Sequence, residues 1–266
     1  GVNRGDGLID ITALGFPSEM NEIIKDGEML KKIRASIEKA APIDGADIRF
    51  GNITDPAKIV CVGLNFTDHA EETGGAAPKY PVFFSKFNDA LHPAGEPVAL
   101  PPWQRSFDYE AELVIVVGKS SYNVSEEDAF EHIFGFACGN DLSARDSQFL
   151  SSQWLAGKSF PCSAPAGPHI VTRDELDPDN QAIGIECYRN GEKVQSGSTG
   201  NMIFSCRQLL SWASRFFALS PGDLIFTGTP GGVILGKPKG SREWLRAGET
   251  VSVEIEGVGA LVTPLV

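Results

Sequence analysis

The sequence predicts an α+β fold in which β-strands predominate. Its uninterrupted apolar runs, such as residues 113–117, are of strand length. Asn190-Gly191 separates two short alternating segments, a pattern typical of a tight β-hairpin. Gly and Pro are abundant, with 29 and 17 residues, as expected of a chain with many turns. Together these features indicate a strand-rich protein with few helices.

The predicted elements divide the chain into a small N-terminal module, residues 1–53, and a main body, residues 54–266. The module begins with a short strand at residues 8–11 and continues with a helix over residues 21–39, where apolar residues recur at helical spacing. Apolar runs in the main body predict strands at residues 58–64, 81–87, 110–118, 223–226 and 250–256, with the hairpin at residues 184–195.

Three helices are predicted in the main body, at residues 125–133, 147–155 and 206–217. The first has the clearest start signal, because Ser125 can act as N-cap and Asp128 follows at the third position, in the manner of a capping box. We find no internal repeat and no low-complexity segment that would indicate a solenoid or a disordered chain.

The composition excludes several classes of function. Acidic residues outnumber basic ones by 35 to 23, and the formal net charge is −12, whereas nucleic-acid binders carry a basic field. A membrane-spanning helix needs about 18 consecutive apolar residues, and no run approaches that length. The hydrophobic fraction of 42% is too high for a disordered chain. We therefore expect a soluble globular protein with a small-molecule partner, no nucleic acid and no membrane.

The cysteines bear on the compartment. The chain has five, an odd number, and none are spaced as C-x-x-C, which argues against a disulfide framework and a zinc site. No signal peptide opens the sequence. These observations predict a protein of the reducing cytoplasm.

Three carboxylates suggest a metal site. Glu110 and Glu112 lie two apart on a predicted strand and so share a face. The apolar continuation, residues 113–117, indicates a strand covered on both sides, where paired carboxylates repel each other unless a cation lies between them. Asp141, after another apolar segment, supplies a third. An all-oxygen site favours Mg²⁺, Mn²⁺ or Ca²⁺; the alternative is a solvated face of an amphipathic strand.

A second candidate site is the pair His69 and Glu72, just past a strand end. On a helical turn residues three apart face together, and a carboxylate beside a histidine orients its ring and raises its basicity, which suits a general base. The alternative is an incidental surface pair. The small residues that follow, 73–78, are typical of a lid.

Three segments carry these candidates, residues 63–72, 109–113 and 139–148, and residues 157–160 and 227–233 follow them along the chain. In this order they resemble motifs of the fumarylacetoacetate hydrolase superfamily, in its acylpyruvase and oxaloacetate decarboxylase-like branch, over about residues 55–266. The resemblance implies a mixed β-sandwich roll that assembles as a homodimer. It also implies a small 2-oxo acid as substrate.

The resemblance further implies roles for individual residues. It makes Glu110, Glu112 and Asp141 the ligands of Mg²⁺ or Mn²⁺, with Ca²⁺ as an alternative. It makes His69 and Glu72 a dyad that activates water, and Lys158 the group that stabilises the developing oxyanion. The substrate-binding residues that it implies are Phe66, Lys86, Arg145, Gln148 and Thr229.

The activity implied is hydrolysis of a C–C bond in a 2-oxo or 2,4-dioxo acid such as an acylpyruvate, through a metal-stabilised enolate. Because the same enolate arises in related reactions, an oxaloacetate-type decarboxylase and a 2-hydroxy-diene-dioate isomerase remain alternatives. Residues 87–89 and 161–163 depart from the usual family pattern. They leave room for a non-catalytic module that binds a 2-oxo acid or a metal, which would keep its affinity after His69→Ala.

Overall fold

Strands outnumber helices in the protein, whose computed structural model describes residues 1–43, 48–72 and 77–266. The strands are β1 (Val2–Asn3), β2 (Leu8–Ile9), β3 (Ile59–Gly63), β4 (Val82–Lys86), β5 (Leu91–Pro93), β6 (Phe107–Asp108), β7 (Ala111–Val117), β8 (Ile133–Asn140), β9 (Ser143–Ala144), β10 (Ala164–Thr172), β11 (Gly184–Arg189), β12 (Glu192–Ser198), β13 (Leu224–Phe226), β14 (Thr250–Ile255) and β15 (Gly259–Pro264). The helices are α1 (Met20–Lys25), α2 (Met29–Ile37), α3 (Thr67–Glu72), α4 (Glu126–Ala129), α5 (Arg145–Gln148), α6 (Leu155–Lys158) and α7 (Cys206–Phe216). The predicted α+β class, made mostly of strands, is confirmed.

A seven-stranded mixed sheet forms the centre of the main body, in the order β4-β3-β13-β7-β8-β10-β5. Its middle strand, β7, runs antiparallel to both neighbours, β13 and β8. A four-stranded antiparallel sheet, β12-β11-β14-β15, packs against it through contacts with β7, β8 and β10. The two sheets form the mixed sandwich that the resemblance implies.

The middle strand is buried on both faces along its whole length. Leu113 and Ile115 belong to the core cluster that fills the space between the two sheets, and Val114 and Val116 belong to a second cluster on the opposite face. The uniformly apolar sequence predicts this double burial, which is confirmed. A polar side chain at the start of β7 therefore projects into the protein interior and not into bulk water.

The N-terminal module has a small core of its own, made of Ile9, Ile11, Ile23, Ile33 and Ile37. The single helix predicted over residues 21–39 is wrong, because α1 and α2 are separate. Asp26 interrupts them: its Oδ1 accepts the N–H of Glu28 at 3.0 Å and its carbonyl accepts the N–H of Met29 at 2.9 Å, a local turn that competes with the helix. Ile24 packs in a core cluster of the main body, and the boundary at residue 53 stays a prediction.

The helix predicted over residues 147–155 is also wrong, because α5 ends at Gln148 and α6 begins at Leu155. Between them Ser151 Oγ accepts the N–H of Gln153 at 3.2 Å and donates to its carbonyl at 3.1 Å, which closes a turn. The Ser125 cap is confirmed by its 3.2 Å bond from the N–H of Asp128. Across the three described stretches, no helix combines the length and apolar character needed to cross a bilayer.

Candidate active site

The register between β7 and β8 brings three carboxylates together. Ala111 pairs with Asn140 across the two strands, and the N–H of Asp141 donates to the carbonyl of Glu110 at 2.9 Å. Asp141 therefore lies opposite Glu110, while Glu112 follows two residues along on the same face. One oxygen from each carboxylate lies within 4.8 Å of the other two, and all three residues are buried.

Lys158 and Arg145, two of the cationic side chains around the cluster, compensate part of this charge. Lys158 Nζ lies 2.5 Å from Glu110 Oε2 and 2.9 Å from Asp141 Oδ2, and Arg145 Nη2 donates to Glu110 Oε1 at 2.6 Å. Burial acts to raise the pKa of Glu110, but Lys158 and Arg145 outweigh it and lower that pKa to about 2. Glu110 is therefore a buried and fully ionised carboxylate.

Glu112 lacks such cationic contacts. Its Oε2 accepts the N–H of Gly228 at 2.8 Å, and no side-chain cation pairs with it among the described residues. Burial and the charges of Asp141 and Glu110 raise the pKa of Glu112 well above its ordinary value. A buried carboxylate that faces two others is explained if a cation binds among them. The donor set, three carboxylates with oxygens near one another, fits a hard divalent ion such as Mg²⁺ or Mn²⁺.

The His69–Glu72 pair lies on α3, the short helix that follows β3. Asn65 fixes the entry to that helix, because its side-chain amide donates to the carbonyl of Thr227 at 2.8 Å and its Oδ1 accepts the N–H of Phe204 at 2.8 Å. His69 Nδ1 lies 3.6 Å from Glu72 Oε2. The helical spacing that predicts this pair is therefore realised. Residues 73–76 of the predicted lid lie outside the described residues.

The C-terminal part of the chain holds Glu72 in place. Its Oε2 and Oε1 accept the N–H of Gly232 at 3.0 Å and 3.2 Å. Partial burial acts to raise the pKa of Glu72, but His69 and the Gly232 N–H outweigh it, so that the pKa lies below its ordinary value. Glu72 is thus an ionised carboxylate that orients the ring beside it.

The His69–Glu72 pair and the carboxylate cluster both border one cavity of about 490 Å³. This volume is within the range of small-ligand sites. Of the residues predicted for the site, those that line this cavity are His69, Glu72, Glu110, Glu112, Arg145, Gln148, Lys158 and Thr229. Other lining residues, which the sequence reasoning missed, include Phe84, Phe149, Trp154, Leu235, Gly236 and Arg242. One pocket is thus lined by the His69–Glu72 pair and two of the three clustered carboxylates.

Phe66 and Lys86 do not line the cavity. Phe66 is fully buried in the core between the sheets, and its backbone forms a bridge with Met202. Lys86 is buried behind the carboxylates, with its Nζ 2.8 Å from Asp141 Oδ1 and 2.9 Å from the carbonyl of Ser163. It also donates to the carbonyl of Lys158. Burial outweighs the attraction of Asp141 and lowers the pKa of Lys86.

Lys86→Met is expected to destabilise the protein by about 3–5 kcal/mol, because it removes one of the two lysines paired with Asp141 and leaves several buried carbonyls without their donor. Urea unfolding would measure the change in the free energy of unfolding. The matched control is Lys119→Met, since the Lys119 side chain is 55% exposed and its Nζ lies 3.7 Å from Glu131; that change is expected to cost less than about 1 kcal/mol. Equal effects of the two variants would contradict a structural role for Lys86.

Asp108 is a second residue that the sequence reasoning missed. Its carboxylate is fully buried, accepts the Nε–H of Arg145 at 2.9 Å, and accepts the N–H groups of Ile234 and Leu235 at 2.8 Å and 2.9 Å. It therefore ties the guanidinium beside Glu110 to the loop that lies against Glu72. The available signal was its position two residues before Glu110, on the same alternating pattern.

Gly236 lies so close to the Glu72 carboxyl that an added Cβ would overlap it. Gly236→Ala is therefore expected to push Glu72 away from His69 and to lower the kcat of a reaction that uses this pair about 10- to 100-fold, the effect of a small misplacement of reacting groups. Steady-state kinetics would measure it, and circular dichroism would check the fold. Gly240→Ala is the control from the same loop, because nothing lies within 4 Å of its added Cβ. An unchanged kcat in Gly236→Ala would contradict the positioning role of Glu72.

Comparison with known proteins identifies relatives along the whole chain. The family model of the fumarylacetoacetate (FAA) hydrolase C-terminal domain matches residues 58–266. The oxaloacetate tautomerase fahd2, mitochondrial, of Xenopus laevis is 38% identical over 274 residues, which cover 100% of this chain and 84% of that protein.

Solved structures of similar proteins carry names of the same family. The fumarylacetoacetate hydrolase of Exiguobacterium antarcticum is 32% identical, with a TM-score of 0.85 over 97% of this chain and 91% of that one. The fumarylpyruvate hydrolase of Pseudomonas aeruginosa, solved in complex with Mn²⁺ and pyruvate, is 34% identical, with a TM-score of 0.71 over 84% of this chain and 94% of that one.

The relatives correct the predicted compartment. The expectation of a cytoplasmic protein is wrong, because the Xenopus laevis relative and its human counterpart are named as mitochondrial proteins. Unpaired cysteines indicate a reducing environment, but they do not distinguish one reducing compartment from another.

Proposed function

The chain belongs to the fumarylacetoacetate hydrolase family, and on that premise we propose that it is a divalent-metal-dependent enzyme that moves a proton beside the 2-oxo group of a small 2-oxo acid. Its leading reaction is the keto–enol tautomerisation of oxaloacetate, the activity named for the Xenopus laevis relative. The observation that carries the proposal is that the His69–Glu72 pair and two of the three clustered carboxylates, Glu110 and Glu112, line one cavity.

Glu110, Glu112 and Asp141 are the residues proposed to hold Mg²⁺ or Mn²⁺. A dication bound there would supply Lewis-acid polarisation of the 2-oxo group. The Mn²⁺ and pyruvate in the fumarylpyruvate hydrolase structure support this assignment, because pyruvate is itself a 2-oxo acid. The ion would also compensate the negative charge that Glu112 meets in the buried cluster.

His69 would carry the proton. In the keto-to-enol direction it takes a proton from the carbon beside the 2-oxo group and delivers one to the oxygen; the reverse reaction uses the same steps in the opposite order. Glu72, ionised and fixed by Gly232, keeps the ring oriented and stabilises its protonated form. Lys158 and Arg145 place positive charge where the substrate oxygens gain negative charge, and Gln148 and Thr229 contribute polar contacts to the same cavity.

A second candidate is the hydrolysis of an acylpyruvate, which the sequence predicts first. The specific observation in its favour is the same His69–Glu72 pair, since an ionised carboxylate beside a histidine also suits activation of a water molecule. In that reaction water attacks the distal carbonyl, the C–C bond breaks, and a carboxylic acid and the enol of a pyruvate are released. The fumarylpyruvate hydrolase relative acts on a substrate of this kind by its name.

The test uses the purified chain with Mg²⁺ or Mn²⁺. Enol-oxaloacetate is followed by its ultraviolet absorbance against the rate without enzyme, and pyruvate release is followed from oxaloacetate and from an acylpyruvate. We expect tautomerisation faster than the uncatalysed rate, and its loss with EDTA. The proposal fails if none of the three reactions is accelerated. Pyruvate release from the acylpyruvate alone would make hydrolysis the function.

We further propose a homodimer, which the family resemblance implies. Large apolar side chains at the surface support it: Tyr80, Phe87 and Phe216 are each more than half exposed, and Trp212 stacks on Phe216 beside Tyr80. Such patches mark interaction surfaces. Light scattering on a sizing column should give twice the mass of the chain, and the monomer mass would contradict the proposal.

A further inference from the structure

The cations that line the cavity differ in how their donors are used. Arg145 gives Nε to Asp108 at 2.9 Å, Nη1 to Gln148 at 2.8 Å and Nη2 to Glu110 at 2.6 Å. Lys158 lies between two carboxylates of the cluster. Both are therefore committed to buried acceptors before any substrate binds.

Arg242 is the third cation that lines the cavity in the described part of the chain. Its Nε donates to the carbonyl of Lys237 at 2.8 Å, and its guanidinium lies 6.0 Å from the centre of the Trp244 ring. These contacts position the half-buried side chain. Its two terminal nitrogens make no hydrogen bond or ion pair with any described residue, so their donors are available to a ligand.

The surrounding segment is basic in an acidic protein. Residues 237–246 contain four of the chain's 23 basic residues and a single acidic one, whereas the whole chain has a net charge of −12. Lys237, Lys239 and Arg246 of this segment are exposed. A local excess of positive charge at the mouth of a cavity raises the local concentration of anions.

The wall that carries Arg242 lies beside the acid–base pair. Arg242 is bonded to Lys237, the neighbour of Gly236, and Gly236 packs directly on the Glu72 carboxyl. A 2-oxo acid whose carboxylate end lies at the cluster would extend past His69 toward this wall. A second carboxylate at the far end of such a molecule would meet a planar guanidinium whose two terminal NH₂ groups are free to donate, which is suited to bidentate binding.

We propose that Arg242 binds the carboxylate of the substrate that is distal to its 2-oxo acid group, so that the site selects dicarboxylates over monocarboxylic 2-oxo acids. The inference rests on the proposed function, since it assumes that a 2-oxo acid occupies the cavity. It makes Arg242 a specificity-determining residue and not a group that moves protons. Oxaloacetate and fumarylpyruvate, named for two relatives, both carry a distal carboxylate.

The experiment combines a variant with the removal of the distal charge from the ligand. KM is measured for oxaloacetate and for its 4-methyl ester, and the dissociation constants of 2-oxoglutarate and its 5-methyl ester are measured by calorimetry with Mn²⁺ present. Arg242→Gln is expected to raise KM and Kd for the two dicarboxylates roughly 10- to 100-fold, as for the loss of a charge-assisted pair. The values for both esters should stay within about 3-fold, and kcat should change little.

Two further variants separate this role from the alternatives. Arg246→Gln removes the same charge from the same segment but not from the cavity lining, and should leave all four values nearly unchanged. Arg242→Lys keeps the charge without the planar fork and should give an intermediate loss. Equal weakening of the dicarboxylates and the esters, or no weakening of either, would overturn the inference. Absence of turnover in the unmodified protein would count against the proposed function. The dissociation constants of 2-oxoglutarate and its 5-methyl ester would still decide the role of Arg242.

Discussion

Glu112→Gln is expected to weaken divalent-metal binding more than about 100-fold and to abolish turnover, while the metal-free protein remains at least as stable as the unmodified one. Loss of a residue that only orients a ligand already costs about 10- to 100-fold in metal affinity, so loss of a ligand should cost more. The stability expectation follows from the surroundings of Glu112. Its raised pKa means that its negative charge destabilises the metal-free fold at neutral pH.

The matched variant is Glu110→Gln. It removes another proposed ligand of the same chemistry, so it should weaken metal binding to a similar extent. Glu110, however, is paired with Lys158 and Arg145, and breaking such buried pairs should cost about 3–5 kcal/mol in the metal-free state. The two variants should therefore behave alike in metal binding and differ in stability.

Calorimetric titration with Mn²⁺ and urea unfolding in EDTA measure the two quantities. Retained metal affinity in both variants would refute the three-carboxylate site. If both variants lowered the free energy of unfolding equally, the charge of Glu112 would not destabilise the metal-free fold, contrary to its raised pKa. The Gly228 N–H can still donate to the carbonyl oxygen of the new amide, so a difference between the variants does not arise from that bond.

His69→Gln is expected to lower kcat/KM about 100- to 10,000-fold, the usual contribution of general acid–base catalysis, without loss of metal or ligand binding. The variant removes the group that we propose to move the proton but none of the three carboxylates. Stopped assays of tautomerisation and of pyruvate release measure the loss, and calorimetry with Mn²⁺ and pyruvate measures binding.

The control for that variant is His132→Gln. His132 lies outside the cavity lining and its Nδ1 bonds to Ser121 Oγ at 2.8 Å, so its replacement should leave kcat/KM within about 3-fold. If His69→Gln retains full activity, the proton is carried by another group. If the unmodified protein binds 2-oxo acids with metal but shows no turnover to lose, the chain is a binding module and not an enzyme.

A strand could be predicted from the sequence where its pattern of apolar and polar residues matches the burial of its two faces in the structure. β7 is recognisable because five apolar residues in a row need cover on both faces, and the sandwich provides it. β8 and β10 were not predicted as strands. Gly135 and Gly139 interrupt the apolar pattern of β8, yet an added Cβ at Gly135 would overlap the Val171 carbonyl of β10, and one at Gly139 would overlap Val114 and Phe226. The glycines that conceal the strand are those that let its neighbours approach.

The sequence predicts which site residues lie together when those residues are close in the chain and belong to the same strand or helix. Glu110 and Glu112 follow strand spacing and His69 and Glu72 follow helical spacing, and the structure keeps both arrangements. Lys86 shows the limit, because a lysine that faces a substrate and one buried behind a carboxylate have the same sequence signature. Asp108 and Arg242 belong to the site because the loop of residues 234–242 folds back against it. A local sequence pattern does not predict contacts of this kind.

The hydrogen bond from the Gly232 N–H to the Glu72 carboxylate bears on the order in which the site can assemble. The carboxylate cluster closes between residues 110 and 141, a short stretch of chain, whereas Glu72 is secured by a backbone group 160 positions away. Contacts between distant parts of a chain require the larger loss of loop entropy and form late in folding. During synthesis the three carboxylates proposed to bind an ion would therefore meet before the His69–Glu72 pair is complete. On the proposed function, the chain would become active only when its last quarter has docked, so that an unfinished molecule would hold an ion without turning over a substrate.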